Sequence, residues 1–321
     1  MSEPQKSPAR LPVEHFVAPV EETPVIAVDA VKVDERKSNL WLDAWRDMRR
    51  RPMFWISGLI ILVVIVVSLW PTLFTHVDPR ACELGNAKNG PSSGHPLGFD
   101  AQGCDIFSRV LHGTSTSVSV GLVVIVITFV IGTIMGAFAG YFGGWIDTVI
   151  SRIGDIFFSI PYILAGVIVM TVFADHRNVL VIALAIGGFS WPVSARILRS
   201  EILRVKNADF VMASESLGLS RFKTLVQHVL PNSIAPLIVV TTISLSAAIV
   251  AESVLSFLGV GLPASEFISW GNDISNGQRD LRNAPQILLY PSLALAITVL
   301  GFVMLGEVVR DALDPKARAQ R

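Results

Sequence analysis

The stretch VSVGLVVIVITFVIGTIMGAFAG, residues 118–140, contains no charged side chain. As an α-helix its 23 residues would rise about 35 Å, enough to cross a hydrocarbon core about 30 Å thick. A backbone surrounded by lipid must satisfy its own hydrogen bonds, so the stretch predicts a transmembrane helix. Its glycines at every fourth position, Gly132, Gly136 and Gly140, form a flat stripe that predicts close packing against another helix. A pore-lining role for the stripe is the alternative.

Five other uncharged stretches are long enough to be predicted as transmembrane helices. They are residues 53–74, 156–174, 178–195, 229–251 and 283–306. The composition agrees, since 51% of the residues are hydrophobic and 16% are charged, whereas a soluble domain has roughly 25% charged residues. We therefore predict an all-α membrane protein with six transmembrane helices in one domain, residues 53–309. Prolines are predicted to kink or end three of these helices, at Pro161, Pro192 and Pro236.

Lysine and arginine are distributed unevenly between the predicted loops. With the N-terminus in the cytoplasm, 17 basic residues near the membrane fall in inner segments and 6 in outer loops. The positive-inside rule therefore predicts that both termini are cytoplasmic. Over the whole chain 26 basic residues balance 26 acidic ones, so no global electrostatic field favours nucleic acid, and no nucleic-acid partner is predicted.

The segments that flank the transmembrane domain are polar. Residues 1–39 contain five prolines, many charges and no sustained apolar period, which predicts a disordered cytoplasmic tail. The 52 residues before the first apolar stretch favour a membrane span there over a signal peptide. Residues 40–52, with Ser38 as a cap, are predicted to form an interfacial helix, a basic membrane anchor being the alternative. Residues 310–321 are predicted to form a second cytoplasmic tail.

A long cytoplasmic loop, residues 196–231, separates the fourth and fifth predicted spans. Four of its apolar and small residues recur at helical spacing: Phe210, Ala213, Ser214 and Leu217. Gly218 stands where a left-handed helix end is expected, and Ser220 can cap a following helix. The loop therefore predicts a helix, a glycine turn and a second helix, and an amphipathic connector is the alternative interpretation.

This loop resembles that of the permease subunits of ATP-binding-cassette (ABC) importers. Their shared motif is Glu-Ala-Ala, three residues, Gly, nine residues, Ile, one residue, Leu-Pro. This chain has Met212-Ala213-Ser214, Gly218 and His228-Val229-Leu230-Pro231 at the same spacing. The resemblance implies that the loop couples the permease to a cytoplasmic ATPase. The coupling residues it implies are Phe210, Met212, Ala213, Ser214, Glu215, Leu217, Gly218 and Leu219.

More of the chain, about residues 40–315, resembles the C-type permeases of the dipeptide and oligopeptide branch. The matching segments include His95-Pro96-Leu97-Gly98, Gly140-Tyr141-Phe142-Gly143-Gly144-Trp145, Ser269-Trp270-Gly271 and Arg310-Asp311-Ala312-Leu313-Asp314-Pro315. The resemblance implies the six-helix fold of a type I importer permease in the inner membrane of a bacterium. It also implies a heterodimer with a second homologous permease, two ABC ATPases and an extracytoplasmic substrate-binding protein. The expected cargo is a di- or oligopeptide, with nickel or another small solute as the alternative.

Motifs for catalysis and for metal binding are missing from the sequence. There is no Gly-x4-Gly-Lys-Ser/Thr phosphate-binding loop, no Gly-x-Ser-x-Gly, and no metal-ligand spacing among the six histidines. We therefore expect no catalytic residue, metal or cofactor on this chain, and we expect ATP and Mg on the partner ATPases. A secondary transporter is less favoured because charged groups at mid-membrane depth and an internal repeat are both missing. A structural scaffold is disfavoured by the long patterned loop.

Three features of the predicted outer side have open interpretations. Glu252 falls about 27 Å along its helix from Ile234, near the outer surface, so a helix-end or subunit-interface hydrogen bond is favoured over substrate contact. Cys82 and Cys104 share the outer loop of residues 75–117, where they form either a disulfide or two free thiols. The outer loop of residues 259–282 is either a docking site for the binding protein, as the resemblance implies, or a solvated connector.

Overall fold

A computed structural model describes residues 40–313 as a helical unit, with isolated β-bridges but no strand in that range. The tail predicted over residues 1–39, the proposed cap Ser38 and the last part of the second tail, residues 314–321, lie outside the described residues. The helices are α1 (Leu40–Met48), α2 (Pro52–Leu69), α3 (Ile106–Phe142), α4 (Gly144–Ser159), α5 (Tyr162–Val172), α6 (Val179–Val205), α7 (Asp209–Ser216), α8 (Arg221–Thr224), α9 (Leu230–Ser233), α10 (Ala235–Phe257), α11 (Trp270–Gly277) and α12 (Gln286–Leu313).

Five helices, α2, α3, α6, α10 and α12, are long and apolar enough to cross a membrane, and α4 with α5 makes a sixth crossing if that bent pair is one span. The stretch 156–174, predicted as one helix, is broken, and α4 and α5 meet at 81°. Pro161 explains the break, because proline disfavours helical backbone at the residue before it, and Ile160 is extended with φ −94° and ψ 121°. The 11 residues of α5 rise only about 16 Å, roughly half of a hydrocarbon core.

The glycine stripe of α3 lies directly against α6. A Cβ atom added at Gly132 would lie 2.5 Å from the Cβ of Ser194, and one added at Gly136 would lie 2.6 Å from the carbonyl oxygen of Ala195. At Gly140 the nearest atom would be the carbonyl oxygen of Arg199, at 3.0 Å. The stripe therefore lets the two helix backbones approach more closely than any side chain would allow.

The predicted interfacial helix corresponds to α1, which ends at Met48. Ala44 is buried, and the ring of Trp45 packs edge-on against that of Phe54 with centroids 5.6 Å apart. The guanidinium of Arg51 pairs with Asp47 at 2.8 Å and with Asp311 at 2.5 Å. These contacts hold α1 and the start of α2 beside the end of α12, while the depth of α1 in a bilayer stays a prediction.

Three helices continue beyond the boundaries predicted from the sequence. One is α12, which reaches Leu313 although the second tail was predicted to begin at residue 310. The first outer loop was predicted to reach residue 117, yet α3 begins at Ile106, where the side chain of Asp105 accepts hydrogen bonds from the N–H groups of Phe107 and Ser108. The cytoplasmic loop was predicted to begin at residue 196, yet α6 continues to Val205. Polar residues lower the hydropathy at the start of α3 and at the end of α6, but they do not interrupt the backbone hydrogen bonds. The helices therefore extend beyond the apolar stretches.

The first outer loop contains an internal disulfide and also makes polar contacts with the last outer loop. Cys82 and Cys104 form a disulfide, which selects the first of the two states that the sequence left open. The bond depends on Gly103, whose φ is +78° and whose added Cβ would lie 1.8 Å from the carbonyl oxygen of Glu83. Lys88 reaches across to Asp280 at 2.7 Å. The guanidinium of Arg80 donates to the carbonyl oxygens of residues 265 and 266.

Candidate functional site

The predicted helix-turn-helix of the cytoplasmic loop is formed by α7, α8 and the turn between them. Asp209 lies in the first turn of α7, where its negative charge interacts favourably with the positive end of the helix dipole. The helix ends at Ser216, and Gly218, two residues later, has φ +85°. The next N–H, that of Leu219, donates to the carbonyl oxygen of Ser214 at 3.2 Å. This is the hydrogen-bond pattern of a glycine-terminated helix. Ser220 then caps α8 by accepting a hydrogen bond from the N–H of Lys223.

One side of α7 is packed onto the transmembrane helices. Val211 is 2% exposed and shares a buried apolar cluster with residues of three long helices: Ala137 of α3, Leu198 and Ile202 of α6, and Leu237 of α10. Ser214 is also buried, and its hydroxyl donates to the carbonyl oxygen of Val211 at 2.8 Å. The short helix is therefore fixed to the core through Val211.

The other side of α7 is an exposed apolar surface, which we call the α7 face. It consists of Phe210, Met212, Ala213, Leu217 and Phe222, all of which are exposed. Leu217 is 83% exposed. Burying its apolar surface against a partner would be favourable by about 25 cal/mol for each Å² removed from water. A contiguous exposed apolar surface on a soluble segment is typical of a protein interaction site.

The predicted coupling residues thus separate into two groups. Phe210, Met212, Ala213 and Leu217 lie on the α7 face, whereas Ser214 is buried beneath it. Glu215 is exposed, and Gly218 has open space around its Cα, with no atom within 4 Å of an added Cβ. Leu219 is half-buried. Only part of the predicted set is therefore available to a partner.

One contact ties α7 to the end of α3 and a second ties the end of α6 to it, and the sequence did not indicate either of them. The hydroxyl of Tyr141 donates to the carboxylate of Glu215 at 2.8 Å, and the ammonium of Lys206 donates to the carbonyl oxygen of Gly140 at 3.1 Å. Phe222 was also missed. Phe222 and Val226 are both exposed while Leu225 is buried, and no sequence signal distinguished them beforehand.

Glu252 is completely buried near the outer end of α10. The hydroxyl of Ser256 donates to its Oε1 at 2.8 Å, and that of Ser253 lies 3.3 Å from its Oε2. The serine Ser269, which caps α11, and Ser117 of α3 complete its polar surroundings. The carboxyl group thus lies where α3, α10 and the start of α11 meet, five residues before α10 ends.

The outer loop of residues 259–282 is anchored by a buried ion pair. Arg109 of α3 donates through its Nε to Asp273 of α11 at 3.0 Å, and Asp100 lies 3.6 Å from the same Nε. Burial raises the pKa of the Asp273 carboxyl, and the charge and hydrogen bonds of Arg109 oppose that rise. Within residues 40–313 no three His, Cys, Asp or Glu side chains are grouped so that they could hold a metal ion.

Comparison with protein families gives two matches. Residues 132–319 match the family described as binding-protein-dependent transport system inner membrane component. Residues 39–91 match the N-terminal transmembrane domain of oligopeptide transport permease C. The two matched segments together include α1, α2, the glycine stripe and the whole α7 loop.

Individual proteins are similar over nearly their full length. The oligopeptide transport system permease protein OppC of Bacillus subtilis (strain 168) is 35% identical over 91% of this chain and 95% of its own. The glutathione transport system permease protein GsiD of Shigella flexneri serotype 5b (strain 8401) is 38% identical over the same shares. Among solved structures, a chain of the MetNI methionine ABC transporter in inward-facing conformations aligns with a TM-score of 0.52 and 19% identity. That alignment covers 64% of this chain and 96% of the other.

Proposed function

The chain belongs to the family of inner membrane components of binding-protein-dependent transport systems, and we propose that its residues 208–219 couple it to a partner ATPase. It is a permease subunit of an ABC importer and has the fold of a type I importer permease. The coupling proposal is carried by the exposed apolar α7 face, whose opposite side packs onto α3, α6 and α10. A partner that binds this face acts directly on the transmembrane helices.

The assembly proposed here has four kinds of protein, this chain included. A second, homologous but different permease subunit completes the translocation path, and two ATPases dock on the cytoplasmic side. ATP and Mg bind to those ATPases, because the sequence of this chain has no phosphate-binding loop. An extracytoplasmic binding protein delivers the cargo to the outer loops. The distribution of basic residues supports cytoplasmic termini in a bacterial inner membrane, whose lipid surrounds the complex.

The proposed cargo is a di- or oligopeptide. Two similar permeases are named for oligopeptide and for glutathione, which is itself a short peptide. Nickel or another small solute is the alternative. Mass spectrometry of the ligand that co-purifies with the complete assembly distinguishes these cargoes.

Coupling has an energetic requirement. An ATPase can shift the permease between an inward-open and an outward-open state only if its binding free energy differs between the two states. Val211 supplies the apolar contact through which movement of α7 reaches α6 and α10. Tyr141 at the end of α3 supplies a polar contact to Glu215 of α7, and Lys206 after α6 supplies one to Gly140 of α3. We propose that ATP-driven closure of the ATPases moves α7, and that hydrolysis returns it.

The sharpest test replaces Ala213 with tryptophan. Ala213 is exposed, so the larger side chain meets no atom of this chain's core and blocks only an approaching partner. Gly218 is less suitable, because its φ of +85° strains any other residue. Ala174, exposed in the short turn between α5 and α6, provides a matched alanine-to-tryptophan control.

Both variants are co-expressed with the whole transporter, and ATPase co-purification and ATP-driven peptide uptake are measured. We expect Ala213→Trp to insert normally but to lose bound ATPase and most of the uptake, while Ala174→Trp behaves like the parent. Unchanged uptake and co-purification in Ala213→Trp would refute the proposed coupling surface.

A further inference from the structure

A cavity of about 260 Å³ lies beside the break between α4 and α5. Its walls are formed by α3, α6, α10 and residues 158–162 of the break. Its polar groups are the hydroxyls of Thr128, Tyr162, Ser190, Ser194 and Ser244. The rest of the wall is apolar, and among the described residues none that line the cavity is charged.

Three helices independently place this cavity near half-depth in the membrane. The α3 residues that line it lie between 124 and 128, close to the middle of a helix that extends from 106 to 142. The lining residues of α10, between 244 and 248, lie in the middle of that helix as well. Those of α6 lie between 186 and 194, again centrally. We therefore call it the midplane cavity.

The break places irregular backbone at this depth. Residues 160–161 interrupt the helix, and Phe158 in the last turn of α4 is 56% exposed on this chain. Inside a bilayer such backbone is tolerated only where protein covers it or where it lines a water-filled cavity. The break therefore cannot face lipid, and it must face either a partner subunit or an aqueous path.

A second observation points into the same cavity. Thr128 is 3% exposed, and its hydroxyl has no hydrogen-bond partner. Burying a hydroxyl without a hydrogen-bond partner is unfavourable, so a polar occupant of the cavity would relieve this cost. Ser190 already donates to the carbonyl oxygen of Ile186 at 2.7 Å, which leaves its oxygen free to accept.

We propose that the midplane cavity is a station on the translocation path where the uncharged amide groups of a peptide cargo exchange hydrogen bonds with hydroxyls. Thr128, Ser190 and Ser244 are the hydroxyls that would make these contacts. Hydroxyls both donate and accept, so they match the N–H and C=O groups of a peptide. The inference rests on the proposed function, and it deepens that function by naming the contact chemistry.

The cavity chemistry separates two cargo classes. All peptides have the same backbone amide groups, so a site made of uncharged hydroxyls can bind peptides with different side chains. A nickel ion prefers imidazole, thiolate or carboxylate ligands, which the described lining does not supply. The volume is slightly below the roughly 300–1,000 Å³ of complete ligand sites, which is expected if a second permease subunit supplies the facing wall.

The first test removes one hydroxyl without changing the side-chain shape. Thr128→Val is compared with Thr133→Val, because Thr133 is on the same helix, has an equally unpartnered hydroxyl and does not line the cavity. In the complete transporter we expect Thr128→Val to lower the uptake of trialanine about 5-fold and Thr133→Val to leave it unchanged. Equal uptake in the two variants, both assembled, would overturn the hydrogen-bonding role.

The second test measures water access without depending on transport. The described residues contain no free cysteine, so an introduced thiol can be labelled selectively. Ser244→Cys is compared with Val126→Cys, which lies at similar depth but is 60% exposed on α3 and does not line the cavity. A charged, membrane-impermeant thiol reagent is applied to both sides of membranes that contain the assembled complex.

We expect the reagent to label Ser244→Cys and not Val126→Cys, and trialanine but not nickel chloride to slow the labelling several-fold. Failure of Ser244→Cys to react, or protection by nickel and not by peptide, would overturn the proposal. Labelling of Ser244→Cys together with uptake that does not need ATP would instead refute the proposed function while leaving the aqueous cavity in place.

Discussion

Replacing Gly136 with alanine tests the contact of the glycine stripe of α3 with the backbone of α6. The added Cβ would lie 2.6 Å from the carbonyl oxygen of Ala195 and 3.1 Å from its Cα. Ordinary contacts of this type begin near 3.4 Å, so α3 must move away from α6 by about 0.8 Å, or the local backbone must deform. Overpacking of this size typically costs about 1–3 kcal/mol, and the helix propensity gained by alanine returns at most about 1 kcal/mol.

The matched control is Gly58→Ala. Gly58 lies within α2 and has no atom within 4 Å of an added Cβ, so it gains the same propensity without a clash. Thermal unfolding of the two purified complexes is followed by the loss of the monodisperse peak on size exclusion. We expect Gly136→Ala to melt several degrees below the parent and Gly58→Ala to melt at or above it. A Gly136→Ala complex as stable as the Gly58→Ala complex would refute the packing argument.

Three further outcomes follow from contacts at the two ends of the bundle. Without reductant neither Cys82 nor Cys104 should react with a thiol reagent, and replacing both with serine should cost about 3 kcal/mol, measured as a lower melting temperature; full labelling without reductant would contradict the disulfide. Tyr141→Phe removes the hydrogen bond to Glu215 and should lower the uptake per ATP hydrolysed, with assembly unchanged; an unaltered ratio would exclude a coupling role for this bond. Glu252→Gln should reduce assembly of the complex, measured by co-purification, and should reduce uptake only as far as assembly is lost. Intact assembly with lost uptake would favour direct substrate contact.

The membrane helices were largely predictable because their signal is local. An uncharged stretch such as residues 118–140 must form its hydrogen bonds within itself, so hydropathy alone identifies it. The bend at Pro161 was predictable in position but not in size, since 81° depends on what α4 and α5 pack against. The start of α3 was placed too late and the end of α6 too early for a related reason, because hydropathy detects lipid contact and not helical hydrogen bonding.

The local structure of the candidate site was predictable from the sequence, but its contacts with other helices were not. The glycine turn at Gly218 and the spacing around Ala213 are local features, and the structure forms the helix that they predict. The glycine stripe indicated close packing, yet nothing in it identifies α6 as the partner. The Tyr141–Glu215 hydrogen bond joins residues 74 positions apart, and such pairs are set by the tertiary fold.

The bonds between the first and last outer loops also constrain how the protein is made. Arg80 contacts a residue 185 positions later in the chain, and Lys88 contacts one 192 positions later. Most of the chain must therefore be synthesised before the first outer loop can form these contacts with the last outer loop. Within the described part of that loop, the Cys82–Cys104 bond joins residues only 22 positions apart, so both of its cysteines are present long before those distant contacts can form.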